Sequence, residues 1–431
     1  MARIRAEQQL NTLVNHKQFM RALKTVGKLA PGRGTYPMIC KAGLVEVSNR
    51  FQTISITTTD LTVGTTIELP CLCHRDESAV VDLSPESIRA MSGHAELLGT
   101  SVKLELDGGK VSCGGIPFGK EVVSPEDWPP VWTREGMSKE SMSDVFLVDH
   151  SDFFEAACAV FPSARVNEDS RSPLEHLHVR RTDFDWWQME STDGHRAATC
   201  KKSGVLTRDL ILHPGMIKAY FELSGLAPKN EPQKIRMMTF NADVDALSAG
   251  SLSLQMHLDD DGVAYVVTRN ANFVWTVAGT ISSFPPLEKV IPAKKNCYTF
   301  TFCPKDLSEA ARAIIDLARI KRPKNGDSFD PTHAAVLIRD EEDHKIYLRH
   351  EPSGRQFVVS HDSGWIVRKG DEEVPPPCKT LFNSFYMFDA AAVLSSSKMA
   401  TAWFNSDPKL SEPLMLEDGL GGMTLIMPIR D

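Results

Sequence analysis

His16 to Leu29 reads HKQFMRALKTVGKL. Phe19, Leu23, Val26 and Leu29 recur at helical spacing, which predicts an amphipathic helix with one apolar face. Pro31, Gly32 and Gly34 follow and end it. The same stretch carries Lys17, Arg21, Lys24 and Lys28 and no acidic residue, and Arg33 comes just after it. Steps of four, three and four between those cations set them in a stripe beside the apolar face. A helix built to pack on one side and to present only positive charge on the other raises the question of whether the chain repeats it.

It does, in pattern rather than in identity. After the first helix come strand-like runs at Gly43–Asn49, Thr53–Thr59 and Thr62–Leu69, rich in Val, Ile and Thr. A second helix begins at Ser84 with Pro85 at its first position and Glu86 in its first turn. Val102–Leu106 and Lys110–Cys113 form a hairpin around Asp107-Gly108-Gly109, and the turn-rich run Pro125–Pro130 closes the unit. The order then recurs: a helix at Asp149–Val160, strands at His176–Arg180 and Trp186–Glu190, a helix at Pro214–Leu223, and strands at Ser251–Leu258 and Val263–Thr268 across Asp259-Asp260-Asp261-Gly262. FPPLEKVIP, Phe284 to Pro292, closes this copy much as EDWPPVW closes the first. A third copy starts at Tyr298, with a helix from Pro304 to Ile320 and strands at Ala334–Ile338 and Lys345–Arg349. A helix at Phe385–Leu394 and strands at Ala400–Asn405, Pro413–Leu416 and Met423–Ile429 complete it. Arg322–Pro331 and Gly364–Lys379 read as inserted loops. The pattern predicts three α+β domains, 1–137, 138–294 and 295–431, each of a size that can bury its own core.

Composition narrows the class. The 431 residues are 42% hydrophobic and 24% charged, an ordinary globular mix. Nowhere does an apolar run reach the roughly 20 residues of a membrane helix. The start, MARIRAEQQL, has no apolar stretch of the kind a secretory leader needs. Nine scattered cysteines fit a reducing cytoplasm. Cys71, Cys73 and His74 lie close together, but no second pair at zinc-ligand spacing accompanies them, so neither a metal nor a cofactor is expected.

A net charge of −8 argues against binding a polyanion by bulk charge and moves the question to where the 48 basic residues sit. They gather on helices. The third copy's first helix carries Arg312 and Arg319 and runs into Lys321, Arg322 and Lys324, while Arg89 and Lys218 mark the second helices of the first two copies. Acidic residues collect in loops, at Glu126–Asp127, Asp259–Asp261, Glu341–Asp343 and Asp371–Glu373. One charged helix face is ordinary, but its recurrence in equivalent helices fits a nucleic-acid backbone held without sequence readout.

A run in the middle copy carries a resemblance. Glu190 to Ala197 reads ESTDGHRA. Its Thr-Asp-Gly-His-Arg segment, after an apolar strand, resembles the motif of the second domain of the bacterial DNA polymerase III beta subunit, the sliding clamp. Other landmarks fall in the family's order. They are Tyr36-Pro37-Met38-Ile39 after the first helix, RSPLEHL at Arg171–Leu177, and Phe284-Pro285 with Val290-Ile291-Pro292. Phe382-Asn383, Tyr386 and Asp389 follow, and then the ending Met427-Pro428-Ile429-Arg430. The resemblance spans nearly the whole chain.

It implies a fold of three tandem clamp domains, with helices lining a central channel and antiparallel sheets outside, two chains joining head to tail in a homodimeric ring. It implies a cytoplasmic, nucleoid-associated processivity factor for DNA replication that encircles double-stranded DNA without enzymatic activity. Lys17, Arg21, Lys24, Lys28, Arg33, Arg89, Lys218, Arg312, Arg319, Lys321 and Arg322 would face the DNA. It further implies a hydrophobic pocket for short peptide motifs of the replicative polymerase, the clamp loader and other replication or repair proteins. Carried over residue by residue, its wall is Leu174, Thr192, Gly194, His195, Arg196, Ala197, Pro285, Val290, Leu425, Met427, Pro428, Ile429 and Arg430. The chain departs from the family in places. Ala197 stands where a leucine is usual and widens one side, Ile429 replaces a methionine, Asp431 adds a negative end, and Glu168 puts an acid where the family touches DNA. The last departure, together with the net charge of −8, motivates a second reading, a clamp-fold peptide-binding adaptor that has lost DNA sliding.

Enzyme readings find little purchase. Gly114, Gly115, Gly119 and Lys120 lack the phosphate-loop spacing, Gly32-x-Gly34 is too short for a dinucleotide loop, and neither GxSxG nor HExxH occurs. Asp193 and His195 have no nucleophile placed with them. The Asp259–Gly262 run lacks the continuation of a calcium loop and reads as a hairpin turn.

Overall fold

The cationic helix forms where its spacing puts it. The computed structural model describes residues 12–30, 38–59, 63–89, 101–107, 110–113, 116–118, 124–128, 142–164, 174, 176–207, 209–212, 214–224, 234–240, 252–257, 264–269, 284–294, 297–317, 334–340, 342, 345–360, 366–367, 380–405 and 412–429. His16–Leu29 is one α-helix. Asn15 caps it, its side chain accepting from the Gln18 amide at 3.2 Å. Phe19, Leu23 and Val26 have no exposed surface, and burying each stabilises the fold by about 1.5–3 kcal/mol. The apolar face lies on the strands Thr53–Thr59 and Val63–Leu72.

The other helices among the described residues follow the same order. A helical turn begins at Pro85, capped by Ser84, whose Oγ accepts from the Ser87 amide at 3.2 Å. Further along are His150–Val160, Pro214–Ser224, Pro304–Leu317 and Ser384–Val393. The helix expected to reach Ile320 is described to Leu317.

Two compact units share the chain, one of Met1–His150 with Gly215–Ala278 and one of Ser151–Pro214 with Gly279–Asp431. Each is organised by antiparallel sheet that runs from one sequence copy into another. In the first unit the strands lie in the order Met142–Asp149, Lys234–Phe240, Leu252–His257, Ala264–Arg269, Val63–Leu72, Thr12–Asn15, Ser101–Asp107, Lys110–Cys113 and Ile116–Phe118. From Val63–Leu72 the sheet continues through Thr53–Thr59 and Ala42–Ser48 to Glu77–Asp82. The join between copies is Ala264–Arg269 against Val63–Leu72, with Tyr265 opposite Ile67.

In the second unit the order is Leu210–Leu212, Leu177–Asp183, Trp186–Thr192, Arg196–Ser203, Gly422–Ile426, Leu414–Glu417, Ala400–Asn405, Cys297–Phe302 and Ile366–Val367. Arg196–Ser203 of the middle copy meets Gly422–Ile426 of the third, with Ala197 opposite Leu425. A second sheet orders Gln356–Ser360, Ile346–His350, Ala334–Arg339 and Leu381–Asn383, and the helices Pro304–Leu317 and Ser384–Val393 pack on each other.

Two readings of the sequence change here. The run Met423–Ile429 is a strand only from Gly422 to Ile426, because Pro428 has no amide proton to continue the ladder. The stretch Gly364–Lys379, taken as a loop, contains the short strand Ile366–Val367 against Tyr298 and Thr299. The loop Arg322–Pro331 lies outside the described residues.

Candidate functional site

The cations of the first helix are placed as a stripe must be. Lys17, Arg21, Lys24 and Lys28 are all exposed, on the side opposite the buried Phe19, Leu23 and Val26 rather than beside them as the spacing suggests. Two more helices of the same unit meet this one. Gly27 opens a gap on the helix that Ile88 fills: a Cβ there would overlap Ile88 Cδ1. The turn carrying Ile88 also carries the exposed Arg89. On the other side Lys28 Nζ lies 3.0 Å from Glu222 Oε2, in the helix Pro214–Ser224 that bears the exposed Lys218. Both ends of that ion pair are well exposed, so it contributes only about 0.2–1 kcal/mol.

Arg312 is exposed in the second unit, 3.9 Å from Asp316 one turn along its own helix. Arg33, Arg319, Lys321 and Arg322 lie outside the described residues, as do Glu168 and Arg430.

In the second unit the residues expected to wall a peptide pocket converge on one turn. The strands Trp186–Thr192 and Arg196–Ser203 are joined by Asp193-Gly194-His195. Gly194 takes φ +87°, the left-handed backbone that favours glycine. Thr192, buried, donates its hydroxyl to Arg196 O at 2.7 Å. Asp193 Oδ1 accepts from the amides of His195 and Arg196, both at 2.9 Å. That carboxylate closes the turn, which is the use the structure gives the Asp193 and His195 pair. The His195 ring faces solvent.

Leu174 lies beside this turn, its Cδ1 3.8 Å from where a Cβ on Gly194 would sit. Ala197 and Leu425 share a buried apolar cluster with Leu287, Cys297, Trp403 and Met415, against which Phe284 and Ile291 pack. Those last residues belong to the segment 284–294, whose turn Leu287–Lys289 leaves Val290 at 44% exposure and Pro285 half-buried. The tail lies against the turn and then leaves it. Met427 donates its amide to His195 O at 2.8 Å, and Ile429 donates to Leu381 O at 2.8 Å. Met427, Pro428 and Ile429 are half-buried. The arrangement offers flexible apolar side chains, an imidazole and a short stretch of tail backbone near the turn, groups of the kind that line sites for small apolar chains.

Beneath the turn lies a polar network whose partners the sequence did not assign to the site. Arg196 Nε reaches Asp193 Oδ2 at 3.0 Å, Nη1 donates to Asp389 Oδ2, and Nη2 donates to Pro162 O. The guanidinium lies over the Tyr386 ring, 4.5 Å from its centroid. Burial by itself would lower the Arg196 pKa, but Asp193 and Asp389 outweigh it and hold it above the ordinary value. Burial, and then Asp193, raise the Tyr386 phenol above its usual range. Glu190 has a similar set of neighbours: His178 Nδ1 at 2.8 Å, Arg180 Nε at 3.2 Å and Gln188 Nε2 at 2.9 Å. Arg180 also pairs with Glu288 at 2.6 Å, which ties the segment 284–294 to the sheet. Asp193 and Gln188 are near neighbours in the sequence, but Pro162, Asp389, Tyr386 and Glu288 come from remote parts of the chain, so spacing along the sequence could not bring those four forward.

Cys71 and Cys73 are buried, and Cys73 Sγ donates to Ser48 O at 3.3 Å. Burial raises both thiols, which keeps them protonated.

No family model matches the sequence, and no curated protein matches it. Solved structures do. The DNA polymerase III beta subunit of Thermotoga maritima aligns with a TM-score of 0.67 at 16% identity, over 98% of this chain and 100% of that one. The beta subunit of Streptococcus pyogenes aligns at 0.70 and 12% identity, with the same coverage of both chains. The sliding clamp of Bartonella birtlesii, bound to griselimycin, aligns at 0.68 and 15% identity, again over 98% of this chain and 100% of that one. Identities this low speak for the fold, and over nearly its whole length the chain is folded as bacterial DNA polymerase III beta subunits are folded.

Proposed function

We propose that this chain is a DNA sliding clamp: a homodimeric ring of three domains per chain, 1–137, 138–294 and 295–431, that encircles duplex DNA and serves as a non-enzymatic processivity factor. The observation that carries the reading is the exposed stripe Lys17, Arg21, Lys24 and Lys28 on a helix without a single acid. It sits beside Arg89 and Lys218 in a fold shared with beta subunits over nearly the whole chain. Lysines and arginines held on rigid helices attract phosphates without reading bases, and contacts that are weak and salt-sensitive suit a protein that must move along the duplex. A body with net charge −8 keeps DNA away from other surfaces.

The turn at Thr192–Ala197, the segment 284–294 and the tail from Leu425 serve, in this reading, as a docking site for apolar peptide motifs of a polymerase, a clamp loader and other replication proteins. Adaptable Leu, Val and Met side chains accept large apolar anchors, and His195 supplies a directional donor at the rim. The protein acts in the cytoplasm on the nucleoid. No helix among the described residues is long and apolar enough to cross a membrane.

Light scattering at micromolar concentration should give twice the chain mass, and negative-stain images should show an annulus with a central opening. A single-chain mass with no annular particle would sink the reading.

A further inference from the structure

The Arg196 guanidinium has no free direction. Its three nitrogens go to Asp193, Asp389 and Pro162 O, and its face is covered by Tyr386. Its side chain is 12% exposed, and those of Asp193 and Asp389 are 6% and 8% exposed. A residue that hydrogen-bonds an incoming ligand needs a donor that can be reached, and a buried arginine between two carboxylates would leave both charges uncompensated if it swung away. Its partners, moreover, are structural parts. Asp193 also closes the turn through the His195 and Arg196 amides. Asp389 and Tyr386 stand on the helix Ser384–Val393.

We propose that Arg196 is a positioning residue and not a ligand contact: held by Asp389 and Tyr386 of the helix Ser384–Val393, it fixes the Asp193–His195 turn, and through His195 O the Met427 tail, in the shape that receives a peptide. The second half of the proposal rests on the peptide-site reading above; the first does not. The tail's other bond supports it. Ile429 donates to Leu381 O, in the strand that leads to Asn383, and Asn383 caps this same helix by accepting from the Phe385 amide at 2.9 Å. One helix and the strand before it therefore fix both ends of the tail, one end through Arg196 and the other through Leu381. Ligand selectivity then falls to the groups left open, His195 and Val290, with the half-buried Leu174 and Met427.

The test uses the full chain with Asp389→Asn, Arg196→Met and the double variant. Amide hydrogen exchange reads the turn without any ligand, and calorimetry with griselimycin reads the site. In Asp389→Asn the Met427 amide should exchange at least about tenfold faster, whereas amides in the strand Trp186–Thr192 stay as protected as in the parent chain. Griselimycin affinity should fall about tenfold in each single variant, and the double variant should be no weaker than Arg196→Met, because the two act as one unit. Unchanged Met427 exchange in Asp389→Asn overturns the proposal, and so does a gain in affinity there, which would mean that a released guanidinium reaches the ligand. If Asp389→Asn fails to fold, Tyr386→Leu removes only the covering ring and should move Met427 exchange in the same direction; no movement overturns the proposal. A parent chain that does not bind griselimycin counts against the peptide-site reading alone, since the exchange measurement still decides whether Arg196 holds the turn.

Discussion

Asp82 shows how one side chain can organise an element. Its carboxylate accepts from the Ser84 amide at 2.9 Å and from the hydroxyls of Ser84 and Ser87, both at 2.7 Å. Ser84 in turn caps the helical turn whose Ile88 fits against Gly27. Burial pushes the Asp82 pKa up, but the three donors outweigh it and leave it below the ordinary value. A carboxylate with a depressed folded pKa contributes stability that is present above its unfolded pKa and lost as pH falls through the folded one. The melting temperature of the parent chain should therefore drop on acidification below about pH 4, and Asp82→Asn should flatten that limb while costing on the order of 1 kcal/mol at neutral pH. Parallel acid limbs in the two proteins would show that Asp82 takes no part. The sequence made Ser84 readable as a cap, because that chemistry is local. Asp82 is not read there although it is as local, standing two residues before Ser84 and five before Ser87.

At the scale of the element, the helix His16–Leu29 is legible in the sequence, since apolar spacing and terminator lie within a few residues of one another; its Asn15 cap comes from the structure. Arg21 and Lys24 are exposed, so replacing them should change stability by only about 0.5 kcal/mol. Arg21→Glu with Lys24→Glu should thus fold normally and, on the clamp reading, keep the parent's assembly state. Affinity for duplex DNA should weaken, with the slope of log K against log salt reduced by about 2, one unit per phosphate contact removed. An unchanged slope would mean that this helix does not face phosphates. The strand Arg196–Ser203 is the opposite case. RAATCKKS has neither the β-branched content nor the alternation of a strand, yet it lies between Trp186–Thr192 and Gly422–Ile426 and is buried from Ala197 to Cys200. Pairing on both edges overrode a weak local preference.

For the whole molecule, the tail tests how far the site is separable from the fold. Beyond Ile426 the chain leaves the sheet and is attached by the two backbone bonds of Met427 and Ile429. Removing residues 427–431 takes away these bonds and the apolar side chains of the rim but no strand. The truncated chain should keep the parent's assembly state in solution and its melting temperature to within a few degrees, and on the proposed docking-site reading it should bind no apolar peptide that the parent binds. Normal binding by the truncated chain would remove the tail from the site. The repeat order, three times helix, strands, helix, strands, is also visible in the sequence. Which strands join across the copies is not.

The sequence by itself determined which segments become helices, which of their faces are apolar and which are cationic, and where the glycine of the Asp193–His195 turn must fall. Each of these depends on residues within about a turn or two of one another. Only the tertiary structure decided that the middle copy pairs with the first through Ala264–Arg269 and with the third through Arg196–Ser203. It alone brought Arg196 to Asp389, 193 residues away. Strand ladders and buried ion pairs are satisfied by backbone groups and charges that many positions could supply, so the choice among them is made by packing the whole chain and leaves no mark on a local pattern.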